Sequence, residues 1–345
     1  MSESLYSKKI REFLQVSKVE SLRTATVSLL TPDASTRRYY RLVTSGGQSY
    51  VASVYPEAFQ KAQLSFLIMT DILAAAGLPV PKVFEVHEEL GVVLQEDLGD
   101  VSLTQWLAEY GRTQEETDSK IKEAIILIAR IQALTSGVLD AQSLPATLAF
   151  DTEKLNWELS YFFEHFFGSL LHIELPDVER AQVKSELLQL AEWLSARPRV
   201  LTHRDFHAMN LMVDASGQLR LIDYQDARMG PLSYDLVPLL LERRMQPPSE
   251  EWVSSMQEYF LQARVSQGLP MLDSADFQKE FMYMTVQREL KALGTFSYQT
   301  AVMGRGVTYQ AYIVPTVKLV LAYLDTVRTY PRLQAMLARS LQYLE

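Results

Sequence analysis

The stretch of sequence that decides the fold reads HRDFHAMN at residues 203–210 and resumes as LID at residues 221–223. An apolar run at 200–202 precedes it and is predicted to be a strand. Two β-like runs, 211–214 and 219–223, flank a Ser216-Gly217 turn and predict a hairpin. This hairpin would bring Asp223 back beside Asn210.

Three side chains in these stretches have the chemistry of a phosphoryl-transfer site. Asp205 is the candidate base that accepts the proton of an attacking hydroxyl, and Asn210 offers an amide oxygen to Mg²⁺ five residues later. Asp223 is the candidate carboxylate between the metal and the nucleotide phosphates. A hard cation prefers oxygen ligands of this kind, and the spacing matches the HRDxxxxN loop. We therefore predict ATP and Mg²⁺ as cofactors.

The loop resembles the catalytic loop of the protein-kinase-like superfamily. DYQD at 223–226 with GPLSYD at 230–235 is similar to the aminoglycoside phosphotransferase-like small-molecule kinases, whereas protein kinases carry DFG and APE. Further segments resemble one subfamily, the anomeric kinases of N-acetylmuramate and N-acetylglucosamine in bacterial cell-wall recycling: DASTRRYYR at 33–41, EDLGD at 96–100, WEL at 157–159 and QRELKALGTF at 287–296.

The resemblance implies both a fold and an activity. The fold is α+β, bilobal and protein-kinase-like, with a small antiparallel-sheet N-lobe and a mostly helical C-lobe. The activity is ATP-dependent phosphorylation of the anomeric C1 hydroxyl of N-acetylmuramate, N-acetylglucosamine or both, for peptidoglycan recycling. The expected partner is thus a small-molecule amino sugar.

Composition excludes several other classes of protein. The chain has 345 residues and 33 Lys and Arg against 42 Asp and Glu, a formal net charge of −9, so nucleic acid is a poor partner. The absence of cysteine excludes disulfides, thiolate zinc sites and cysteine nucleophiles. Residues 1–9 show no signal segment, and the apolar runs 124–129 and 236–241 are shorter than the ~18 residues of a membrane span. We expect a cytoplasmic protein without a membrane partner.

The pattern of the sequence changes near residue 98, where we predict a domain boundary. Residues 1–98 are predicted to form the nucleotide-binding lobe, with one helix over 57–76 and five strands, at 22–29, 37–43, 49–55, 82–86 and 91–96. Residues 99–345 are predicted to form the catalytic and substrate lobe, with helices that include 103–110, 115–135, 153–167, 178–196 and 234–243. A small antiparallel sheet carrying a single helix is an α+β unit.

The nucleotide is expected to meet three places in the first lobe. Ser35 and Thr36 lie where a kinase has its Gly-rich loop, and their hydroxyl and backbone N–H groups can approach phosphates although the segment has no glycine. Ser53 occupies the position of the superfamily's phosphate-binding lysine. Glu96 and Leu98 are expected to contact the adenine edge through their main chain, with a simple interdomain linker as the alternative.

An arginine is the expected substitute for the missing lysine, because a guanidinium suits phosphate geometry. Arg37 and Arg41 share one strand face and Arg38 lies on the other, since strand residues alternate. Only one of these sets can point toward a nucleotide. We take Arg38 as the candidate clamp.

Acceptor candidates come from the second lobe. Trp157 and Tyr161 fall on one helical face, and such a face can bind a sugar ring or can simply be core. Glu158 on the same helix is a substrate candidate by resemblance. His207 lies between the base and the metal ligand and is predicted either to contact the acceptor or to pack under the loop.

Two cations and one acid complete the candidates. Arg288 and Lys291 lie three residues apart on a predicted helix and can meet an anionic acceptor group such as a lactyl carboxylate, unless this is an ordinary solvated face. Asp235 is expected to hold the catalytic loop rather than to touch the substrate.

Two alternative functions are consistent with the residues. The acceptor can instead be an aminoglycoside, an amino alcohol or another small hydroxyl compound, although Arg288 and Lys291 argue against a cationic one. A pseudokinase that binds nucleotide without turnover is the other alternative, and Ser53 motivates it.

Overall fold

A computed structural model describes residues 3–30, 37–109, 111–136, 139–140 and 142–344. The described α-helices are α1 (Glu3–Val16), α2 (Ser65–Ala75), α3 (Leu103–Leu107), α4 (Gln114–Ala133), α5 (Leu144–Thr147), α6 (Thr152–Phe162), α7 (Asp177–Ser195), α8 (Leu236–Leu240), α9 (Glu250–Ser266), α10 (Ser274–Ala301), α11 (Gly306–Tyr309), α12 (Ile313–Val327) and α13 (Pro331–Ser340). The described strands are β1 (Thr26–Leu29), β2 (Arg38–Val43), β3 (Ser49–Val54), β4 (Val83–His87), β5 (Val92–Glu96), β6 (Arg199–Thr202), β7 (Leu211–Val213), β8 (Leu219–Leu221) and β9 (Arg228–Pro231).

The chain divides into two compact units. The first comprises Met1–Glu109 with Met209–Gln225, and the second comprises Tyr110–Ala208 with Asp226–Glu345. The predicted boundary at residue 98 stays a prediction. The first unit continues to Glu109 and also includes the 209–225 segment.

The first unit is built on a five-stranded antiparallel sheet of order β1-β2-β3-β5-β4. This confirms the predicted α+β class and the five strands. Apolar side chains of β2, β3 and β5 face α1 and form one buried cluster: Tyr6, Ile10, Phe13, Leu14, Leu22, Tyr40, Leu42, Ala52, Val54, Val92 and Leu94. Packing of this sheet face against α1 forms a hydrophobic core of the first unit.

The hairpin β7–β8 belongs to the first unit through backbone hydrogen bonds. Leu221 N donates to Pro79 O at 2.9 Å, and Val213 N donates to Val101 O at 2.8 Å. The side chains of Thr70 and Tyr224 share a buried hydrogen bond of 2.8 Å. These contacts hold the hairpin and the residues that follow it against the other segments of the first unit.

Two sequence-based predictions for the first unit need correction, and one helix was not predicted. The predicted strand at 22–29 starts with a 3₁₀ turn, Glu20–Thr24, so that only Thr26–Leu29 is strand. The helix predicted over 57–76 begins only at Ser65. Glu88 binds the chain before that point, because Phe59 N donates to Glu88 O and Lys61 N donates to the Glu88 carboxylate. Helix α1 was not predicted, although Tyr6, Ile10 and Phe13 are spaced as an amphipathic helix requires.

The second unit packs mostly helices around α10. Gly294 of α10 lies against α6 so closely that a Cβ atom there would be 2.6 Å from Phe162 Cα. Beyond Phe162 the helix continues as a π-helical segment, Phe163–Leu170, which also packs on α10. The short strands β6 and β9 pair antiparallel and lead into and out of the catalytic-loop region.

Several helices of the second half of the chain differ in length from their predictions. The predicted helix at 234–243 is a single turn, α8, and the predicted helix at 103–110 ends at Leu107. Within the described residues, one helical stretch, Gly306–Val327, has the length and apolar composition of a membrane span. Neither apolar run singled out from the sequence, 124–129 or 236–241, includes it. One third of its apolar window is buried inside the protein, including Val317 and Val320 of α12.

Candidate active site

In the second unit the carboxylate of Asp205 is surrounded by positive charge. Its Oδ1 atom accepts a hydrogen bond from Lys291 Nζ at 2.8 Å and lies 3.9 Å from Arg288 Nη1. Its Oδ2 atom lies 3.8 Å from Arg204 Nε. Burial alone would raise the pKa of Asp205, but the charges of Lys291, Arg204 and Arg288 hold it well below the usual value. Asp205 is therefore ionised at neutral pH and able to accept a proton.

The backbone just before Asp205 is strained and held in place. Arg204 has a φ of 85°, which a side-chain-bearing residue rarely adopts. The carboxylate of Asp235 accepts hydrogen bonds from His203 N at 2.6 Å and Arg204 N at 3.0 Å. Burial raises the pKa of Asp235 to about 7 although these two bonds oppose the change. The prediction that Asp235 holds the loop is confirmed.

Arg288 does not lie on a solvated face, because its side chain is only 1% exposed. Its Nη1 atom donates to Arg204 O at 3.2 Å and to Tyr234 Oη at 2.9 Å, and its Nη2 atom donates to Glu242 at 3.1 Å. These bonds engage both Nη atoms within the protein, whereas Nε has no hydrogen-bond partner among the described residues. Arg288 thus supports the loop together with Glu242, which no sequence signal indicated, and its expected role as a substrate ligand stays a prediction.

Two further acceptor candidates lie in the same unit with buried polar atoms. Glu158 is buried, and its Oε2 atom accepts from Gln287 Nε2 at 2.9 Å. Among the described residues, Glu158 Oε1 and His207 Nδ1 have no hydrogen-bond partner. Burial lowers the pKa of His207, with Glu242 opposing the change, so its ring is neutral at pH 7. Both atoms are candidates to bind a polar ligand.

An aromatic face runs along α6 into the π-helical segment, as the spacing predicted. The ring centroids of Trp157 and Tyr161 are 5.8 Å apart, and those of Tyr161 and His165 are 4.2 Å apart. Tyr298 of α10 lies 5.8 Å from Tyr161. Trp157 is 55% exposed, so this end of the face is open rather than part of the core.

In the first unit Asn210 and Asp223 lie side by side, as the predicted hairpin requires. Asn210 Nδ2 lies 3.4 Å from Asp223 Oδ2, and Gln225 Nε2 donates to Asp223 Oδ1 at 2.7 Å. Asp223 has a φ of 64°, a conformation that aspartate tolerates better than most residues. The described residues contain no cluster of three or more His, Asp or Glu that would hold a metal alone. An amide and a carboxylate fit Mg²⁺, which keeps water and phosphate oxygens as its other ligands.

The arginines of the β2 region lie on opposite faces, as predicted, but the face near Asp223 carries Arg37. Arg37 Nη2 lies 3.9 Å from Asp223 Oδ1, and Arg37 Nη1 donates to Tyr55 Oη at 3.3 Å. Arg38 instead lies over the ring of Tyr6 on the α1 side, 6.0 Å from its centroid. This placement favours Arg37 over Arg38 as the candidate clamp, and the role of Arg38 stays a prediction.

Ser53 lies on the face of the sheet that carries Arg37. It pairs directly with Tyr39 across β2 and β3, and Arg37 stacks over the Tyr39 ring at 5.7 Å. Ser35 and Thr36 lie outside the described residues.

The segment after β5 is fixed by arginines. Arg220 of β8 binds both carboxylate oxygens of Glu96, at 2.9 and 2.6 Å, and this contact lowers the pKa of Glu96. Arg41 binds Asp97 and Asp100 in the same two-pronged way. Leu98 is buried. The Glu96 side chain is thus engaged, and the Glu96 backbone N–H also donates to Lys82 O at 2.8 Å. Contact of a base with the main chain of Glu96 and Leu98 stays a prediction.

Comparison with known proteins gives two results. The model of the phosphotransferase enzyme family matches residues 26–270. A relative from Neisseria meningitidis serogroup B, named N-acetylmuramate/N-acetylglucosamine kinase, is 32% identical over 292 residues, which is 84% of this chain and 82% of the relative.

Solved structures share the fold. A putative aminoglycoside phosphotransferase from Ralstonia eutropha aligns with a TM-score of 0.58 at 14% identity, over 93% of this chain and 98% of its own. The aminoglycoside phosphotransferase APH(2'')-Ib, solved with ADP bound, aligns with a TM-score of 0.57 at 14% identity, over 93% and 97%. At this identity the likeness concerns the fold alone.

Proposed function

Because this chain belongs to the phosphotransferase enzyme family, we propose that it transfers the γ-phosphoryl group of ATP to the C1 hydroxyl of N-acetylmuramate, N-acetylglucosamine or both. The observation that carries the proposal is the ionised Asp205, set among cations in the loop that precedes Asn210. The name of the Neisseria relative supports the choice of amino sugar. The proposal places the protein in the cytoplasm, in peptidoglycan recycling.

Asp205 acts as the base in this reaction. It accepts the proton of the acceptor hydroxyl while the oxygen attacks the γ-phosphorus, the bond to the bridging oxygen breaks and ADP leaves. Such a positioned base contributes roughly 10²- to 10⁴-fold in rate. The strained backbone at Arg204 and the hydrogen bonds that Asp235 accepts from His203 N and Arg204 N fix the position of the Asp205 carboxylate. Lys291 keeps the carboxylate ionised and oriented through its 2.8 Å hydrogen bond.

Asn210 and Asp223 would hold Mg²⁺ through their oxygen atoms, and the ion would neutralise charge on the phosphates. Arg37 lies near Asp223 on the face of the sheet that also carries Ser53. We assign its guanidinium to the phosphates, as a substitute for the lysine that is absent at position 53. Ser35 and Thr36 are proposed to contact the phosphates, and Glu96 with Leu98 the adenine edge.

The acceptor sugar is proposed to lie on the aromatic face. Apolar faces of sugar rings stack on aromatic side chains, and Trp157 and Tyr161 offer two neighbouring rings. The free oxygen of Glu158 and the free Nδ1 atom of His207 would bind sugar hydroxyl or N-acetyl groups, since a buried polar atom without a partner is costly.

The proposal is tested by Mg²⁺-dependent ATP consumption with N-acetylmuramate, N-acetylglucosamine and kanamycin in parallel. Turnover is expected with at least one amino sugar, and Asp205→Asn should abolish most of it while nucleotide affinity stays nearly intact. Turnover with kanamycin alone would replace the acceptor with an aminoglycoside. Nucleotide binding without turnover on any acceptor would favour the pseudokinase alternative, which the buried Ser53 motivates.

A further inference from the structure

Lys154, in the first turn of α6, is a half-buried cation without an anionic partner. Its Nζ atom lies 3.9 Å from the centroid of the Trp157 ring. Within the part of the chain that the structure describes, no carboxylate lies within ion-pair distance of this ammonium. A lysine that stacks on an exposed ring keeps its charge accessible to a ligand on that ring.

The surroundings of Lys154 carry further positive charge. Its pKa is lowered first by burial and then by repulsion from Arg204, Arg228 and Lys291, while Glu158 raises it. Two of these neighbours are paired, because Lys291 contacts Asp205 and Arg204 Nη1 lies 2.7 Å from Asp226.

Arg228, like Lys154, is a cation without an anionic partner among the described residues. Its Nε atom donates to the Asp226 backbone carbonyl at 3.2 Å, and its guanidinium lies 5.3 Å from the centroid of the Phe150 ring. No described carboxylate pairs with it. Two cations without anionic partners therefore share one neighbourhood, which also contains Lys291, the residue that contacts Asp205.

We propose that Lys154, assisted by Arg228, is a subsite for the carboxylate of an anionic acceptor sugar and makes the enzyme favour N-acetylmuramate over N-acetylglucosamine. N-acetylmuramate is N-acetylglucosamine with a lactyl ether on its 3-hydroxyl, and the carboxylate of that group is the charge that distinguishes the two sugars. This inference rests on the proposed function and deepens it. It moves the anion contact from Arg288, whose side chain is only 1% exposed and whose Nη atoms donate inside the protein, to a lysine next to the aromatic face.

The test compares both sugars in the wild type and in Lys154→Met, which keeps the aliphatic stem over Trp157 and removes the charge. We expect kcat/KM for N-acetylmuramate to fall roughly 10- to 100-fold, as for loss of a charged hydrogen bond. The value for N-acetylglucosamine should stay within about twofold, since it makes no such bond. Lys154→Arg should retain most of the preference.

Lys184→Met is the matched control, because Lys184 of α7 also stacks on a ring, that of Phe163 at 5.5 Å. It should leave both sugars unaffected. Equal losses on both sugars in Lys154→Met would overturn the subsite, because a structural role does not distinguish the acceptors. A wild type that prefers N-acetylglucosamine would also overturn it while leaving the proposed function intact. A wild type that phosphorylates neither sugar would instead refute the proposed function, and this subsite with it.

Discussion

Replacing Lys291 by methionine removes the ammonium that contacts the Asp205 carboxylate and leaves the rest of α10 unchanged. Two unit charges 2.8 Å apart interact by ~6 kcal/mol at an effective dielectric constant of about 20. The pair is partly exposed to solvent, which screens this energy. Arg204 and Arg288 also continue to stabilise the ionised form of Asp205 when Lys291 is removed. We expect about 1.4 kcal/mol to be lost, which is a factor of ten in the protonation equilibrium of Asp205.

The assay is the pH dependence of kcat/KM for the acceptor, which reports the ionisation of the free enzyme. The positive neighbours lower the pKa of Asp205, so removal of Lys291 must raise it and move the acidic loss of activity toward neutral pH. In Lys291→Met this loss should begin at a proton concentration about tenfold lower than in the wild type. The ionisation of ATP affects both proteins equally and cancels in the comparison.

Two control variants isolate the charge. Lys291→Arg keeps a cation beside Asp205 and should keep the wild-type profile. Lys279→Met removes a lysine of the same helix that lies over the ring of Trp193, and it should change neither rate nor profile. If Lys291→Met lowers the rate by one factor at every pH, the reasoning is refuted, because Lys291 would then not act on the charge of Asp205.

Three other predictions concern the metal ligand, the phosphate clamp and a buried acid. Asp223→Ala should weaken both turnover and Mg·ATP affinity, and calorimetry that finds unchanged affinity would contradict its role. Arg37→Ala should raise the KM for ATP more than that for sugar, whereas Arg38→Ala should do neither; the reverse result would restore Arg38 as the clamp. Burial raises the pKa of Glu289 from 4.5 to about 8, so the folded state retains a proton between these pH values and stability falls as pH rises through them. The free energy of unfolding in urea, measured at pH 6 and pH 9, should fall between these pH values in the wild type but not in Glu289→Gln. An equal fall in both proteins would contradict the assignment to Glu289.

Local patterns predicted the parts of the fold that depend on neighbouring residues. The strands β2 to β5 follow from alternation and turn residues, and Gly77 ends α2 with a φ of 69°, as its position after the helix indicated. The start of α2 was predicted too early for a tertiary reason, because the distant Glu88 carboxylate accepts a hydrogen bond from Lys61 N before the helix begins. The missed α1 had a readable pattern, since its apolar residues recur at helical spacing behind polar neighbours.

The candidate site was predictable where it depends on one loop and one hairpin. Asp205, Asn210 and Asp223 follow from spacing along the chain, and the contact of Asn210 with Asp223 agrees with it. The partners of Asp205 and Arg288 were not predictable, because Lys291 lies 86 residues from Asp205 and Glu242 lies 46 residues from Arg288. Such ion pairs depend on how helices pack, which a single sequence does not encode locally.

The two arginines show why a correct pattern can leave the choice between two candidates undecided. Alternation placed Arg37 and Arg38 on opposite faces but did not say which face α1 covers. Helix α1 was not predicted, so the face that it buries was assigned to the nucleotide. Prediction of α1 would have favoured Arg37.

The identity of the phosphorylated product tests the central claim most directly. The purified enzyme is incubated with ATP, Mg²⁺ and N-acetylmuramate or N-acetylglucosamine, and the product is examined by phosphorus and proton NMR. The account predicts a sugar 1-phosphate, whose anomeric proton couples to phosphorus and whose phosphate is released by mild acid. A 6-phosphate, or no product from either sugar while another small alcohol is phosphorylated, would contradict it.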